Sequence, residues 1–166
     1  MNAIEFLTSL IRSGKLYGLG IGSTLDEVNQ SIRCDFIDDV SKSGLSMRRD
    51  YGFFEFSFKP GPEWVISAVS IQLHRLASNF EMAEEWQRGM GTYFPQYTAW
   101  RELQDALSRV QEYPGLTVKD QGDFIEYRAD ATNISIIVNN DHEERDCSVG
   151  QGDLWSVSLW SATRSE

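Results

Sequence analysis

Apolar positions recur at helical spacing from the start of the chain: Ile4, Leu7, Leu10 and Ile11 fall on one side of a helix that Gly14 stops. A glycine-rich connector, Gly18 to Gly22, follows. Ser23-Thr24, three residues ahead of Asp26-Glu27, reads as a capping box that opens a short helix with Leu25, Val28 and Ile32 inward. Residues 46–50 read as extended. The clearest strand comes next, with Phe54, Phe56 and Phe58 on one face and Glu55 and Ser57 on the other. Pro60-Gly61-Pro62 makes a turn. The run from Trp64 to His74 then predicts a long second strand with Val65, Val69, Ile71 and Leu73 on one side.

Ser78 with Glu81 predicts a second capped helix that passes Trp86 and fades at Gly89-Met90-Gly91. The strongest helical pattern runs from about Thr98 to Tyr113, with Trp100, Leu103, Leu107 and Val110 as its apolar stripe and Pro114-Gly115 as its stop. Three further strands are expected near 116–128, 132–139 and 153–161. In the second, Ile134, Ile136 and Val138 alternate with Asn133, Ser135 and Ile137. In the last, Trp155, Val157 and Leu159 alternate with Ser156 and Ser158. The pattern predicts an α+β fold, an antiparallel sheet with helices packed on one face. Phe53-Phe54-Glu55-Phe56 and Phe124-Ile125-Glu126-Tyr127 each follow a helix and precede an apolar strand, 71 positions apart. The expectation is therefore one domain over 1–166, read also as two tandem helix-plus-β-meander repeats, about 1–76 and 92–162, that share one sheet.

Composition narrows the class. With 41% apolar and 12% aromatic residues in 166, the chain is too hydrophobic to be disordered and long enough to bury a core. No stretch approaches the roughly 18 apolar residues of a membrane span. The first residues lack the basic start and apolar run of a secretory signal, so the cytoplasm is the expected location. Cys34 and Cys147 are then expected to be free thiols. The formal charge is −10, unevenly spread: residues 1–83 carry eight basic and ten acidic side chains, residues 84–166 seven and fifteen. Such a field opposes nucleic-acid and anionic-membrane binding and favours a basic partner.

Candidate chemistry is thin. Gly18-x-Gly20-x-Gly22 lies before a helix but has neither the spacing of a dinucleotide fingerprint nor the Gly-Lys-Ser/Thr of a phosphate loop, and Asp26 and Glu27 would repel an anion. His142-Glu143-Glu144-Arg145-Asp146 lacks the second histidine of a zinc-protease helix. Its carboxylates lack calcium-loop spacing, so it reads as a solvated hairpin loop. Nothing local activates either cysteine as a nucleophile. No catalytic residue, cofactor or metal is expected, and the chain reads as a binding protein rather than an enzyme. Asp50 is expected to pair with Arg75 or His74 across the hairpin.

Tyr17-Gly-Leu-Gly-Ile-Gly-x-x-Leu-Asp-Glu-Val28, Arg49-Asp-Tyr-Gly52 with Phe54-Glu55, and Ile71-Gln-Leu-His-Arg-Leu76 resemble small actinobacterial proteins of the immunity type from polymorphic-toxin systems. The resemblance covers residues 15–76. It implies a cytoplasmic inhibitor that neutralises a basic toxin domain by protein–protein contact. The acidic loop Asp141, Glu143, Glu144 and Asp146, with Asp38 and Asp39 as a second patch, is the expected partner surface. A small-molecule-binding or enzymatic α+β domain with a tryptophan-lined pocket between sheet and helices is the alternative, and a homo-oligomer subunit is a third reading.

Overall fold

The computed structural model describes residues 1–112 and 115–162. Four α-helices lie on one side of an eight-stranded antiparallel sheet. Helix α1 (Ala3–Ser13) starts in a reciprocal capping box between Asn2 and Glu5 and buries Phe6, Leu7, Leu10 and Ile11. Helix α2 (Leu25–Ser31) starts in the expected box between Thr24 and Glu27 and buries Val28. Strands β1 (Ile37–Val40), β2 (Met47–Asp50), β3 (Phe54–Lys59) and β4 (Val65–Ile71) form a meander. A 3-10 turn (Leu73–Ala77) leads to α3 (Glu81–Met90) and α4 (Trp100–Ser108). A second meander follows, β5 (Thr117–Asp120), β6 (Phe124–Ala129), β7 (Ile134–Asn139) and β8 (Leu154–Trp160).

The strand order β1-β2-β3-β4-β8-β7-β6-β5 joins the two meanders at their last strands. In that arrangement β3 corresponds to β7, each lying next to a joining strand. The likeness of residues 53–56 to 124–127 instead aligns β3 with β6, so that spacing of 71 is not the register of the two halves.

Several boundaries differ from the expectation, each for a physical reason. Residues 116–128 form two strands, because the chain turns at Gly122, whose N–H is accepted by the Asp120 carboxylate at 2.8 Å. β1 was not expected at all. The strand after Trp64 ends at Ile71, and Leu73 and His74 enter the 3-10 turn. A bulge between Ser57 and Phe58 pairs Phe58 with Ile66, so Ile66 rather than Val65 joins Val69 and Ile71 in the core. A second register shift, between Ile137 and Val138, leaves Trp155 unpaired and separates it from Val157 and Leu159. Helix α3 starts after Phe80 without a side-chain cap, because Ser78 bonds back to Arg75 in the 3-10 turn. It continues through Gly89 and ends at Gly91 in the left-handed conformation. Helix α4 ends at Ser108, short of Tyr113, and the expected stop at Pro114 lies outside the described residues.

The core between sheet and helices is aromatic. Trp86 stacks on Phe54 with ring centroids 3.9 Å apart, and Phe6, Phe53 and Phe94 pack edge-on around them. The Trp86 indole N–H donates to the Tyr17 hydroxyl at 3.0 Å, which donates to Thr92 at 2.8 Å. Among the described residues no helix is long and apolar enough to cross a membrane.

Among the glycines, Gly89 makes the closest approach to a neighbouring segment. A Cβ there would lie 2.5 Å from Cys34 Sγ and 2.6 Å from the Arg33 carbonyl oxygen. Helix propensity favours alanine by about 1 kcal/mol, but overpacking against a backbone oxygen costs about 1–3 kcal/mol. The substitution Gly89→Ala is expected to lower the melting temperature; an unchanged or higher value would show that the 33–34 segment yields freely.

Candidate binding face of the sheet

The sheet has two unlike faces. Phe54, Phe56 and Phe58 point to the helices and are fully buried. Their neighbours belong to a cross-strand row that runs over all eight strands: Ile37, Asp50, Glu55, Ser70, Ser158, Ser135, Arg128 and Thr117. Ser57 and Ala68 lie on one side of this row and Ser156 and Ile137 on the other. The middle of the helix-free face is thus a floor lined by small hydroxyl side chains, of which Ser57, Ser70 and Ser158 are half-exposed and Ser135 and Ser156 buried. Ser70 and Ser158 share a hydrogen bond of 3.0 Å across the junction of the two meanders, and Gln72 Nε2 donates to Ser70 at 2.7 Å.

Larger groups rim this floor. Arg75 donates to Glu55 at 2.8 Å and to the Gly52 carbonyl at 2.7 Å, and lies 3.8 Å from Asp50. The pairing of Asp50 with Arg75 is as expected, although neither group is buried. On the far side the Ser135 hydroxyl donates to Glu126 at 2.6 Å, and the Arg128 guanidinium lies 5.7 Å from the Trp160 ring. At the end of the face the displaced Trp155 stacks on His74 at 4.2 Å and meets Phe124 edge-on. Burial lowers the pKa of His74, so the ring favours its neutral form in this stack.

The six acidic residues expected to form a partner surface divide into two separate places. Asp38 and Asp39 lie on β1, at one edge of the sheet. The other four lie in the loop between β7 and β8, four to five strand spacings away, or about 19–24 Å across the sheet. Asp38 is committed: the Arg49 guanidinium, 4% exposed, donates to its two oxygens at 2.7 and 2.8 Å and to Asn29 at 2.6 Å. The same guanidinium lies 3.6 Å from the centre of the Phe36 ring. Asp39 is exposed, with a long 3.9 Å pair to Arg48. Asp141 and Glu143 each bind Arg145 at 2.9 Å, whereas Glu144 and Asp146 are exposed. The loop is anchored by Asn139, whose buried amide donates to the Val149 carbonyl at 3.0 Å.

Between sheet and helices lie the buried aromatic and aliphatic side chains of the core. On the helix side a cleft of about 340 Å³ opens where the segment after α2 meets α3, with Tyr51 and Trp86 beside the charged Arg33, Asp35, Glu85 and Arg88. Cys34 borders it. Burial, with Asp35 and Glu85 nearby, pushes its thiol up to about 11, which disfavours the thiolate. Both cysteines are free.

The serine floor was not singled out from the sequence. Its signal lay in the alternation of β8, where Ser156 and Ser158 interrupt apolar residues, but only strand pairing shows that Ser70 and Ser135 extend the same surface.

No family model matches the chain, and no curated protein matches it. Among solved structures the chain is similar to a DUF4309 family protein, YjgB, from Bacillus subtilis subsp. subtilis str. 168, with 16% identity, 95% of each chain covered and a TM-score of 0.47. A likeness at that level carries neither family membership nor function to this chain.

Proposed function

We infer that this protein is a binding module that captures a basic protein partner on the helix-free face of its sheet. The reading is that of an inhibitor of the immunity type, which acts by covering its target rather than by chemistry. The observation that supports it is the contrast between the two faces. One is sealed by helices over an aromatic core, while the other carries small serines rimmed by Trp155, Trp160, Phe124 and fixed ion pairs. A floor of small side chains admits projecting groups of a partner, and rigid aromatic rims supply the contacts that dominate interface energies. The formal charge of −10 would speed the approach of a basic surface and make capture sensitive to salt.

The test is capture from native lysate at low and moderate salt, read by mass spectrometry, with the intact chain and with Ser158→Arg as baits. Ser158 is half-exposed at the centre of the floor, so an arginine there adds bulk and like charge where the partner would sit. The intact chain is expected to retain a stoichiometric basic protein that weakens as salt rises. The variant, folded as judged by its melting temperature, is expected to bind it at least tenfold more weakly, since like-charge juxtaposition at an interface costs several kcal/mol. A bait that holds nothing at either salt, or equal capture by both baits, overturns the reading.

A further inference from the structure

Among the described residues strand β1 is an edge of the sheet, with β2 as its one neighbour. All four of its residues are exposed. The Ser41 N–H bonds to the Ser46 carbonyl at the hairpin end. The alternation of an antiparallel ladder then turns the N–H and C=O of Val40 and Asp38 away from β2. Two apolar side chains of this strand are exposed, one on each face of the sheet: Ile37 is 75% exposed and Val40 52%. Exposed edge strands with apolar side chains invite another strand, and natural proteins commonly guard them with charge.

The charge on this edge selects among occupants. Antiparallel two-fold pairing of β1 with a second copy would set either Asp38 opposite Asp38 or Asp39 opposite Asp39 of that copy, and like charges directly opposite are destabilising. A strand that carries lysine or arginine meets the reverse situation. Asp38 is held by Arg49, but Asp39 is exposed and joined to Arg48 only at 3.9 Å. The opposite edge, β5, exposes Lys119 beside Asp120 and so lacks the net negative charge that would favour the same strand.

We propose that the β1 edge accepts an extended basic segment of the partner by strand addition, with main-chain hydrogen bonds at Asp38 and Val40, an apolar contact at Val40, and Asp39 opposite a cationic side chain. The proposal rests on the basic-partner reading above and adds a second contact to the open face, at the end of the same cross-strand row that begins with Ile37.

The experiment uses the full chain and a synthetic octapeptide of alternating lysine and valine, with an alternating glutamate–valine peptide as control. Amide hydrogen exchange is followed residue by residue. The basic peptide is expected to slow exchange at Asp38 and Val40 about tenfold, to do so less as salt rises, and to leave β5 unchanged. The acidic peptide is expected to have no effect. Val40→Pro removes an outward N–H without breaking a β1–β2 hydrogen bond, and it is expected to abolish the protection while the amides of β2 and β3 stay protected. Absence of protection, protection at β5, or equal protection by both peptides overturns the proposal. Its failure is distinct from failure of the open-face reading, which is judged by Ser158→Arg with β1 intact.

Discussion

Truncation of Trp86 to alanine is expected to cost about 3–5 kcal/mol, the range for deleting a large aromatic from a packed core, and to lower the melting temperature by about 10 °C or more in a domain of this size. Trp86 is the hub of the aromatic cluster. Its ring stacks on Phe54 at 3.9 Å, meets Phe53 and Tyr51 edge-on, and donates to Tyr17, so its loss opens a void and leaves the Tyr17 hydroxyl with one partner fewer. The void is bounded by β3, which cannot move without disturbing its ladders to β2 and β4. Trp86→Phe keeps most of the volume and is expected to recover more than half of the loss. Urea unfolding followed by far-UV circular dichroism measures both. A loss below about 1 kcal/mol for the alanine variant would mean that α3 collapses onto the sheet, and the cluster would then not be the rigid centre described here.

The second large effect is expected at Asp38, and it separates the two members of the Asp38–Asp39 pair. Asp38→Ala leaves the Arg49 guanidinium buried with Asn29 and the Phe36 ring as its remaining partners. Breaking a fully buried ion pair costs about 3–5 kcal/mol. Because Asp38 itself is 32% exposed and water can reach its place, about 2–3 kcal/mol is expected here. Asp39→Ala, which removes an exposed carboxylate 3.9 Å from Arg48, is expected to change stability by less than about 0.5 kcal/mol. The double variant Asp38→Leu with Arg49→Met removes both charges and is expected to be more stable than Asp38→Ala alone. Equal effects at Asp38 and Asp39 would overturn this assignment. For partner binding the consequence is practical: Asp39 reports on an interface, whereas a defect at Asp38 reports first on folding.

The elements with a clear period were readable along the chain. Phe54, Phe56 and Phe58 alternate without interruption, and Ile134, Ile136 and Val138 do the same, because a strand with one face on a core must repeat every two residues. Helix α1 and its Gly14 stop, and the Thr24–Glu27 box of α2, are local events that need no distant partner. The departures came where pairing overrides local pattern. Ile37-Asp38-Asp39-Val40 has no alternation and becomes a strand because β2 offers Arg49 to Asp38. Trp155 follows the period of β8 in sequence but is thrown out of register by the shift opposite Ile137. Of the expected partner residues, the sequence shows their charge but not that Asp38, Asp141 and Glu143 are already engaged within the chain.

The amino-acid sequence by itself determined the class of the protein: an acidic α+β chain with an aromatic core, two runs of strands and no recognisable catalytic motif. Hydrophobic period, capping chemistry and net charge are properties of neighbouring residues. The open serine face and the free β1 edge were decided only by tertiary structure. Ser70 and Ser158 lie 88 positions apart and meet because β4 pairs with β8, and the edge exists because the order of the described strands leaves β1 at the end of the sheet. Contacts of that kind depend on which strands find each other, and no local pattern along the chain records them.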